Sequence, residues 1–111
     1  MAIVEERIYV LHTHFGPKDY FEEYERGARE LQASILGGFM GYYMTEVGEL
    51  NALVSLWKYE SFEERQQRRA CLAAEPKWQD FLSKVRPMIR TMNNRLLTPT
   101  PFTAPQVLNR D

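Results

Sequence analysis

One segment specifies much of the architecture of this chain: Gly48-Glu49-Leu50-Asn51-Ala52-Leu53-Val54-Ser55-Leu56-Trp57-Lys58-Tyr59. Residues 48–51 are predicted to form a turn, and residues 52–59 a strand, because apolar and aromatic side chains dominate there. The preceding residues 39–47 predict another strand. Since so few residues connect the two strands, we expect them to pair as antiparallel neighbours in a β-hairpin.

On the N-terminal side of this hairpin, the sequence predicts one strand and one helix. Residues 7–15 are rich in β-branched and aromatic residues and predict the first strand. Gly16-Pro17 ends it, and Pro17 suits the first turn of a helix because its missing N–H costs nothing there. Apolar residues then recur at helical spacing until Gly37-Gly38. A single helix is therefore expected between the first two strands.

On the C-terminal side, the sequence predicts two helical segments and a last strand. Ser61 and Glu64 match the capping box that begins a helix, and we expect this helix to continue to about Ala74. Pro76 begins another helical segment. A short strand is predicted at residues 94–98. Residues 1–103 are accordingly predicted to form one domain, and residues 104–111 an extended tail.

The order strand, helix, strand, strand, helix, strand predicts an α+β fold of the ferredoxin-like βαββαβ type with an antiparallel sheet. Helices cover only one face of such a sheet. In the third strand, however, apolar residues fall on both faces. One face carries Leu53 and Trp57, and the other carries Val54 and Leu56. We therefore expect the chain to form a homodimer in which two sheets pack face to face.

Composition narrows the range of partners. The chain has 111 residues with 14 basic and 15 acidic side chains, and the net charge of −1 gives no reason to expect a nucleic-acid partner. No apolar run reaches the roughly 18 residues that a membrane span needs. The single Cys71 cannot form an internal disulfide, and residues 1–7 do not resemble a signal peptide, so a cytoplasmic location is expected. Nucleotide-binding and phosphate-binding motifs are absent from the sequence, and no cofactor is predicted.

Several segments, in this order along the chain, resemble the NIPSNAP family: Glu46-Val47-Gly48-Glu49-Leu50-Asn51, Leu56-Trp57-Lys58-Tyr59, Arg68-Arg69-Ala70-Cys71-Leu72 and Glu75-Pro76-Lys77-Trp78-Gln79-Asp80-Phe81-Leu82. The resemblance covers about residues 7–103. It implies a dimeric α+β barrel, in which two ferredoxin-like sheets close on one another. The wider superfamily includes cofactor-independent monooxygenases, haem-degrading enzymes and small-molecule isomerases, whereas this family has no agreed activity.

The resemblance also suggests a departure in the first strand. The family pattern there is close to Tyr-Glu-Leu-Arg-x-Tyr, and the matching segment is expected to begin at Tyr9. On that alignment the polar family positions are occupied by Val10, His12 and His14. Any function that depends on those positions would be altered in this chain.

His12 and His14 are the candidate catalytic residues. Placed two residues apart on a strand, they would point to the same face, and an imidazole titrates near neutral pH. Either could act as an acid or base, or contact a ligand. A metal site is not predicted, because the sequence offers no third ligand. The alternative is that both side chains hydrogen-bond within the sheet.

Four further residues are candidates for binding a ligand. Trp57 and Tyr59 share one face of the third strand, and Tyr42 is expected opposite them across the hairpin. These three aromatic side chains could line a pocket or could belong to the hydrophobic core. Arg69 lies on the predicted buried side of its helix, where it would pair with Glu46 or Glu60 or would anchor an acidic ligand. Arg65 and Arg68 are predicted to be solvated, and Cys71 to face away from the core.

Two functions follow from these observations. The favoured one is a non-catalytic homodimeric module that binds a small molecule or a protein partner. The alternative is a cofactor-independent enzyme, similar to a monooxygenase or an isomerase, that acts on a small aromatic or apolar compound. In the alternative, His12 or His14 would transfer the proton and Arg69 would hold an acidic group of the substrate.

Overall fold

A computed structural model describes residues 2–103, so the tail predicted for residues 104–111 lies outside the described residues. The strands and helices follow the chain in this order: β1 Ile3–Leu11, α1 Pro17–Gly27, α2 Arg29–Leu36, β2 Phe39–Met44, β3 Ala52–Tyr59, α3 Phe62–Ala73, α4 Pro76–Val85 and β4 Ile89–Leu97. A 3-10 turn, Arg86–Met88, joins α4 to β4. Within residues 2–103, none of the helices combines the length and the apolar character that crossing a membrane requires.

The four strands form one antiparallel sheet in the order β2-β3-β1-β4. β1 lies at the centre between β3 and β4, with Ile8 opposite both Val54 and Asn93. This order, with helices between β1 and β2 and between β3 and β4, confirms the predicted α+β ferredoxin-like fold. The hairpin prediction is also confirmed, because β3 has the predicted bounds and Tyr42 of β2 pairs with Ser55 of β3.

The first strand was misplaced by the sequence prediction: it spans Ile3–Leu11 rather than residues 7–15. The reason lies in Asn51, a buried residue with a left-handed backbone φ of 63° in the β2–β3 turn. Its amide Nδ2 donates hydrogen bonds to the carbonyl oxygens of His12 (3.3 Å) and Phe15 (2.8 Å). The amide of Phe15 in turn donates to the carbonyl of His12 at 3.0 Å. These contacts hold residues 12–15 in a turn, so the strand ends before them.

Three other element boundaries also differ from the predictions. β4 is longer than residues 94–98, because the whole segment Ile89–Leu97 pairs with β1. β2 ends at Met44, after which the amide of Thr45 donates to the carbonyl of Ala52 (3.1 Å) and closes the hairpin turn. The single first helix divides into α1 and α2 at Ala28, which is fully buried.

The hydrophobic core lies between one face of the sheet and the four helices. On that face of β3, Leu53, Trp57 and Tyr59 are 0% exposed. They pack with buried residues of all four helices: Tyr20, Tyr24, Leu36, Leu72, Phe81 and Val85. The opposite face of the sheet carries half-buried Ile8, Val54 and Leu56. Helices therefore cover one face of the sheet, while the other presents apolar side chains.

Candidate functional site

The helix-facing side of β1 carries a buried carboxylate, Glu5, whose side chain is 0% exposed. Its oxygen Oε2 accepts three hydrogen bonds of 2.8 Å each, from Arg7 Nη1, Arg65 Nη2 and Asn94 Nδ2. These donors come from β1, α3 and β4. The carboxylate thus ties the centre of the sheet to its edge strand and to a helix.

The pKa of Glu5 reflects this arrangement. Burial alone would raise it, because a charged carboxylate is less stable away from water. Hydrogen bonds from Arg65 and Asn94, together with the positive charges of Arg7 and Arg65, outweigh that effect and lower the pKa to about 2. Glu5 is therefore ionised at neutral pH, and its negative charge is shared by two guanidinium groups.

A third guanidinium, Arg69 of α3, lies near the same cluster without a carboxylate of its own. Its Nη1 is buried and has no hydrogen-bond partner among residues 2–103, and the same is true of the Tyr59 hydroxyl. Burial lowers the pKa of Arg69, and repulsion from Arg7 lowers it further, with Glu5 acting in the opposite direction. Burial likewise raises the pKa of Tyr59. The site thus combines buried positive charge with an unused donor.

Next to this cluster, a cavity of about 130 Å³ lies between the sheet and α4. The polar part of the cavity wall is formed by three arginine side chains, those of Arg7, Arg69 and Arg86. Tyr9 stands beside Arg7, whose Nε donates to the Tyr9 hydroxyl at 3.0 Å and whose guanidinium carbon is 5.7 Å from the Tyr9 ring centre. The rest of the wall is apolar or aromatic and comes from Tyr20, Trp78, Leu82, Val85, Ile89 and Met92.

The structure separates the ligand-binding candidates that the sequence suggested. Arg69 lines the 130 Å³ cavity, and Tyr59 is close enough for the charge of Arg69 to act on its hydroxyl. Trp57 is fully buried in the core, where its Nε1 donates to the hydroxyl of Ser55 at 3.0 Å. Tyr42 lines a different cleft, together with Phe21 and other residues of α1 and α2.

His12 and His14 lie in the turn after β1 rather than on the strand. Their rings stack with centres 5.8 Å apart, and His14 is exposed. Neither is among the residues that line the 130 Å³ cavity. In the described part of the chain, no three histidine, cysteine, aspartate or glutamate side chains are grouped so that they could hold a metal ion.

Two expectations for α3 were wrong. Arg65 is not solvated: its side chain is 15% exposed and pairs with Glu5. The charge nearest to Arg69 comes from Glu5 and Arg7 rather than from Glu46 or Glu60. Both errors arise because Glu5 and Arg7 of the central strand β1 reach this part of α3, which the sequence of the hairpin and the helix could not indicate.

Other α3 residues behave differently. Arg68 is only partly solvated, since its Nη1 donates to the carbonyl of Ile35 at 2.9 Å while its Nε pairs with Glu64. Phe62, seven residues before Arg69 and therefore on the same predicted side of the helix, is 50% exposed. Cys71 is exposed, as predicted.

The fold and the buried polar cluster define a ferredoxin-like domain with an arginine-lined cavity between sheet and helices. The family model for NIPSNAP matches residues 4–104. This chain therefore belongs to the NIPSNAP family, as the resemblance indicated.

Similar proteins agree with this assignment. A NIPSNAP-like domain protein from Burkholderia xenovorans is 40% identical, with a TM-score of 0.88 over 94% of this chain and 90% of that one. A NIPSNAP family protein from Agrobacterium tumefaciens is 35% identical, with a TM-score of 0.88 over 93% and 97% of the two chains. At 16% identity, SnoaB from Streptomyces nogalater, a cofactor-independent oxygenase, shares the fold alone, with a TM-score of 0.61 over 94% and 97% of the two chains.

Curated relatives are longer proteins. Protein NipSnap of Drosophila melanogaster is 31% identical over 68 residues, which are 61% of this chain and 24% of that protein. A putative NipSnap protein of Caenorhabditis elegans is 30% identical over 64 residues, which are 58% of this chain and 12% of that protein. The chain thus spans about a quarter or less of the length of these curated relatives.

The observed position of β1 corrects the expected departure from the family pattern. When the pattern is aligned on the observed strand, its Glu, Arg and Tyr positions fall on Glu5, Arg7 and Tyr9, five residues before Val10, His12 and His14. The three polar side chains are therefore present and share the helix-facing side of the strand. The alternation of Glu5, Arg7 and Tyr9, which places all three side chains on one face of a strand, was the sequence signal that could have located them.

Proposed function

We propose that this protein is a homodimer in which each subunit binds a small molecule between its sheet and its helices, without catalysing a reaction. The observation that carries the proposal is the 130 Å³ cavity, whose wall combines arginine side chains with aromatic and aliphatic ones. Ligand sites in proteins are typically apolar clefts with a few well-placed polar groups. A guanidinium with an unused donor, Arg69, is such a polar group.

The dimer part of the proposal rests on the other face of the sheet. Ile8, Val54 and Leu56 are apolar and lie on the face that carries no helices. A sheet of this kind is normally covered by a second layer, and a second copy of the same face would supply it. A ferredoxin-like protein described as dimeric shares the fold, with a TM-score of 0.69 at 13% identity.

The alternative, a cofactor-independent monooxygenase- or isomerase-like enzyme, has the shared fold of SnoaB in its favour. Its proposed proton-transferring groups do not support it, since neither His12 nor His14 lines the cavity. Binding without catalysis is therefore preferred. In this proposal residues 1–103 act as one domain, and the protein works in the cytoplasm, where the exposed Cys71 stays reduced.

Thermal unfolding tests the binding part of the proposal. One-ring compounds that bind the native protein should raise its Tm, because ligand binding stabilises the folded state. Leu82→Trp should fill the cavity from α4 and abolish these shifts. Mass spectrometry of the recovered compound should show it unchanged. Conversion of the compound to a product would favour the enzymatic alternative. If no compound raises the Tm of the wild-type protein more than that of Leu82→Trp, binding in this cavity is contradicted.

Sedimentation at micromolar concentration tests the dimer. The wild-type protein should sediment as a dimer, and Leu56→Arg should sediment as a monomer because it places a charge on the apolar face. Val47→Arg is the matched control, since Val47 is 93% exposed in the β2–β3 turn, and it should remain dimeric. A monomeric wild-type protein would overturn the proposed assembly.

A further inference from the structure

We infer that the ligand of this cavity is a small carboxylate with a flat or short apolar body, and that Arg69 binds its carboxylate group. This inference rests on the proposed function and specifies the ligand class. It follows from three features of the site: an imbalance of buried charge, an unused donor, and a cavity wall that is aromatic and aliphatic apart from its arginines.

The charge imbalance is the first step. Three guanidinium groups, those of Arg7, Arg65 and Arg69, surround a single carboxylate, Glu5. Glu5 forms ion pairs of 2.8 Å with Arg7 and Arg65, and no ion pair to Arg69 occurs in the described part of the chain. Placing unpaired positive charge away from water is costly. A bound anion would neutralise it.

The unused donor is the second step. Nη1 of Arg69 is buried without a hydrogen-bond partner, and Arg69 is part of the cavity wall. A water molecule would accept that hydrogen bond but would leave the charge uncompensated. A carboxylate satisfies both needs, because its two oxygens match the planar fork of a guanidinium.

The size and lining of the cavity are the third step. Its volume of about 130 Å³ is close to the roughly 150 Å³ of an apolar cavity that accepts benzene. Besides the arginines, Trp78, Leu82 and Met92 line the cavity and provide aromatic and aliphatic surface. Inorganic phosphate would leave this wall unused. An acid about the size of benzoate would contact both the guanidinium of Arg69 and the apolar lining.

Titration calorimetry on the full-length protein with benzoate, benzamide and inorganic phosphate tests the inference. Benzoate should bind at least tenfold more tightly than benzamide, which has the same shape without the charge, and more tightly than phosphate. Arg69→Gln should weaken benzoate binding at least tenfold. Arg68→Gln, a change at the adjacent position whose side chain contacts Glu64 and Ile35 instead, should leave the affinity for benzoate unchanged.

A second variant keeps the test independent of the folding of Arg69→Gln. Met92 is 51% exposed at the cavity, so Met92→Glu adds negative charge without burying it. This change should weaken benzoate binding several-fold and leave benzamide binding unaffected. Equal binding of benzoate and benzamide, or an unchanged benzoate affinity in Arg69→Gln, would overturn the inference while leaving small-molecule binding intact. Failure of every probe to bind at millimolar concentration would overturn both proposals.

Discussion

Arg65 on α3 donates a 2.8 Å hydrogen bond to the buried Oε2 of Glu5 on β1, across 60 residues of chain. The same oxygen accepts hydrogen bonds from Arg7 and Asn94, also at 2.8 Å. These three hydrogen bonds all use Oε2, whereas Oε1 of Glu5 and Nη1 of Arg69 are both buried without a hydrogen-bond partner among residues 2–103. A stabilising polar network and a candidate anion site therefore share one neighbourhood.

The stability of the protein should fall as the pH is lowered through the range in which Glu5 titrates. The folded-state pKa is about 2, below the ordinary value of 4.5, so the unfolded chain takes up this proton at a higher pH than the folded chain. The contribution is full above pH 4.5 and is lost as the pH falls towards 2. It amounts to about 3 kcal/mol.

Urea unfolding between pH 7 and pH 2 measures this dependence. Glu5→Gln should be less stable at neutral pH by about 3 kcal/mol and should show a correspondingly weaker loss of stability in acid. Glu49→Gln, at an exposed position of the β2–β3 turn, should retain the wild-type pH dependence. Parallel acid profiles for the wild-type protein and Glu5→Gln would contradict the assignment.

Removing Arg65 should destabilise the protein, because one of the two charges that compensate Glu5 is lost. We expect Arg65→Met to lower the free energy of unfolding by about 2 kcal/mol. Arg26→Met is the control: Arg26 forms an ion pair with Glu23 on α1, and its side chain is 65% exposed, so the change should stay within about 0.5 kcal/mol. Chemical denaturation compares the two variants, and equal losses would show that the Glu5 network adds no special stability.

Asn51 should be essential to the turn that contains His12. Asn51→Ala removes both hydrogen bonds to the carbonyls of residues 12 and 15 and places alanine at a positive φ, so we expect a loss of about 2–3 kcal/mol. Asn51→Gly removes the same hydrogen bonds but tolerates the backbone conformation, and it should lose less. Thermal unfolding separates the two contributions. If both variants lose the same stability, the left-handed backbone is not a factor.

Gly38 should tolerate no side chain. A Cβ there would lie 1.8 Å from the carbonyl oxygen of Lys58, whose amide donates to the Gly38 carbonyl at 2.7 Å. Gly38→Ala must therefore separate the start of β2 from β3, and we expect a loss of more than about 3 kcal/mol. Gly27→Ala meets nothing within 4 Å at the end of α1 and should be neutral or stabilising by up to about 1 kcal/mol. The denaturation midpoints of the two variants measure this difference. A loss of stability in Gly38→Ala as small as that in Gly27→Ala would contradict the prediction.

The sequence by itself determined the features that depend on neighbouring residues. The turn and strand from Gly48 to Tyr59 follow from composition, and β3 has the predicted bounds. Ser61 caps α3, its hydroxyl accepting from the amide of Glu64 at 3.0 Å, because the capping box is a local signal. The order of such elements was enough to predict the fold, and the ordered motifs were enough to indicate the family.

Only the tertiary structure decided which polar groups meet. Arg65 looked like a surface residue of an amphipathic helix, and its contact with Glu5 exists only because β1 lies at the centre of the sheet under α3. The place where β1 ends depends on Asn51, which is 39 residues after His12 in the chain. Local patterns carry no information about such distant partners, because packing selects them when the elements assemble. The candidate site, unlike the fold, is for this reason a property of the assembled sheet and helices.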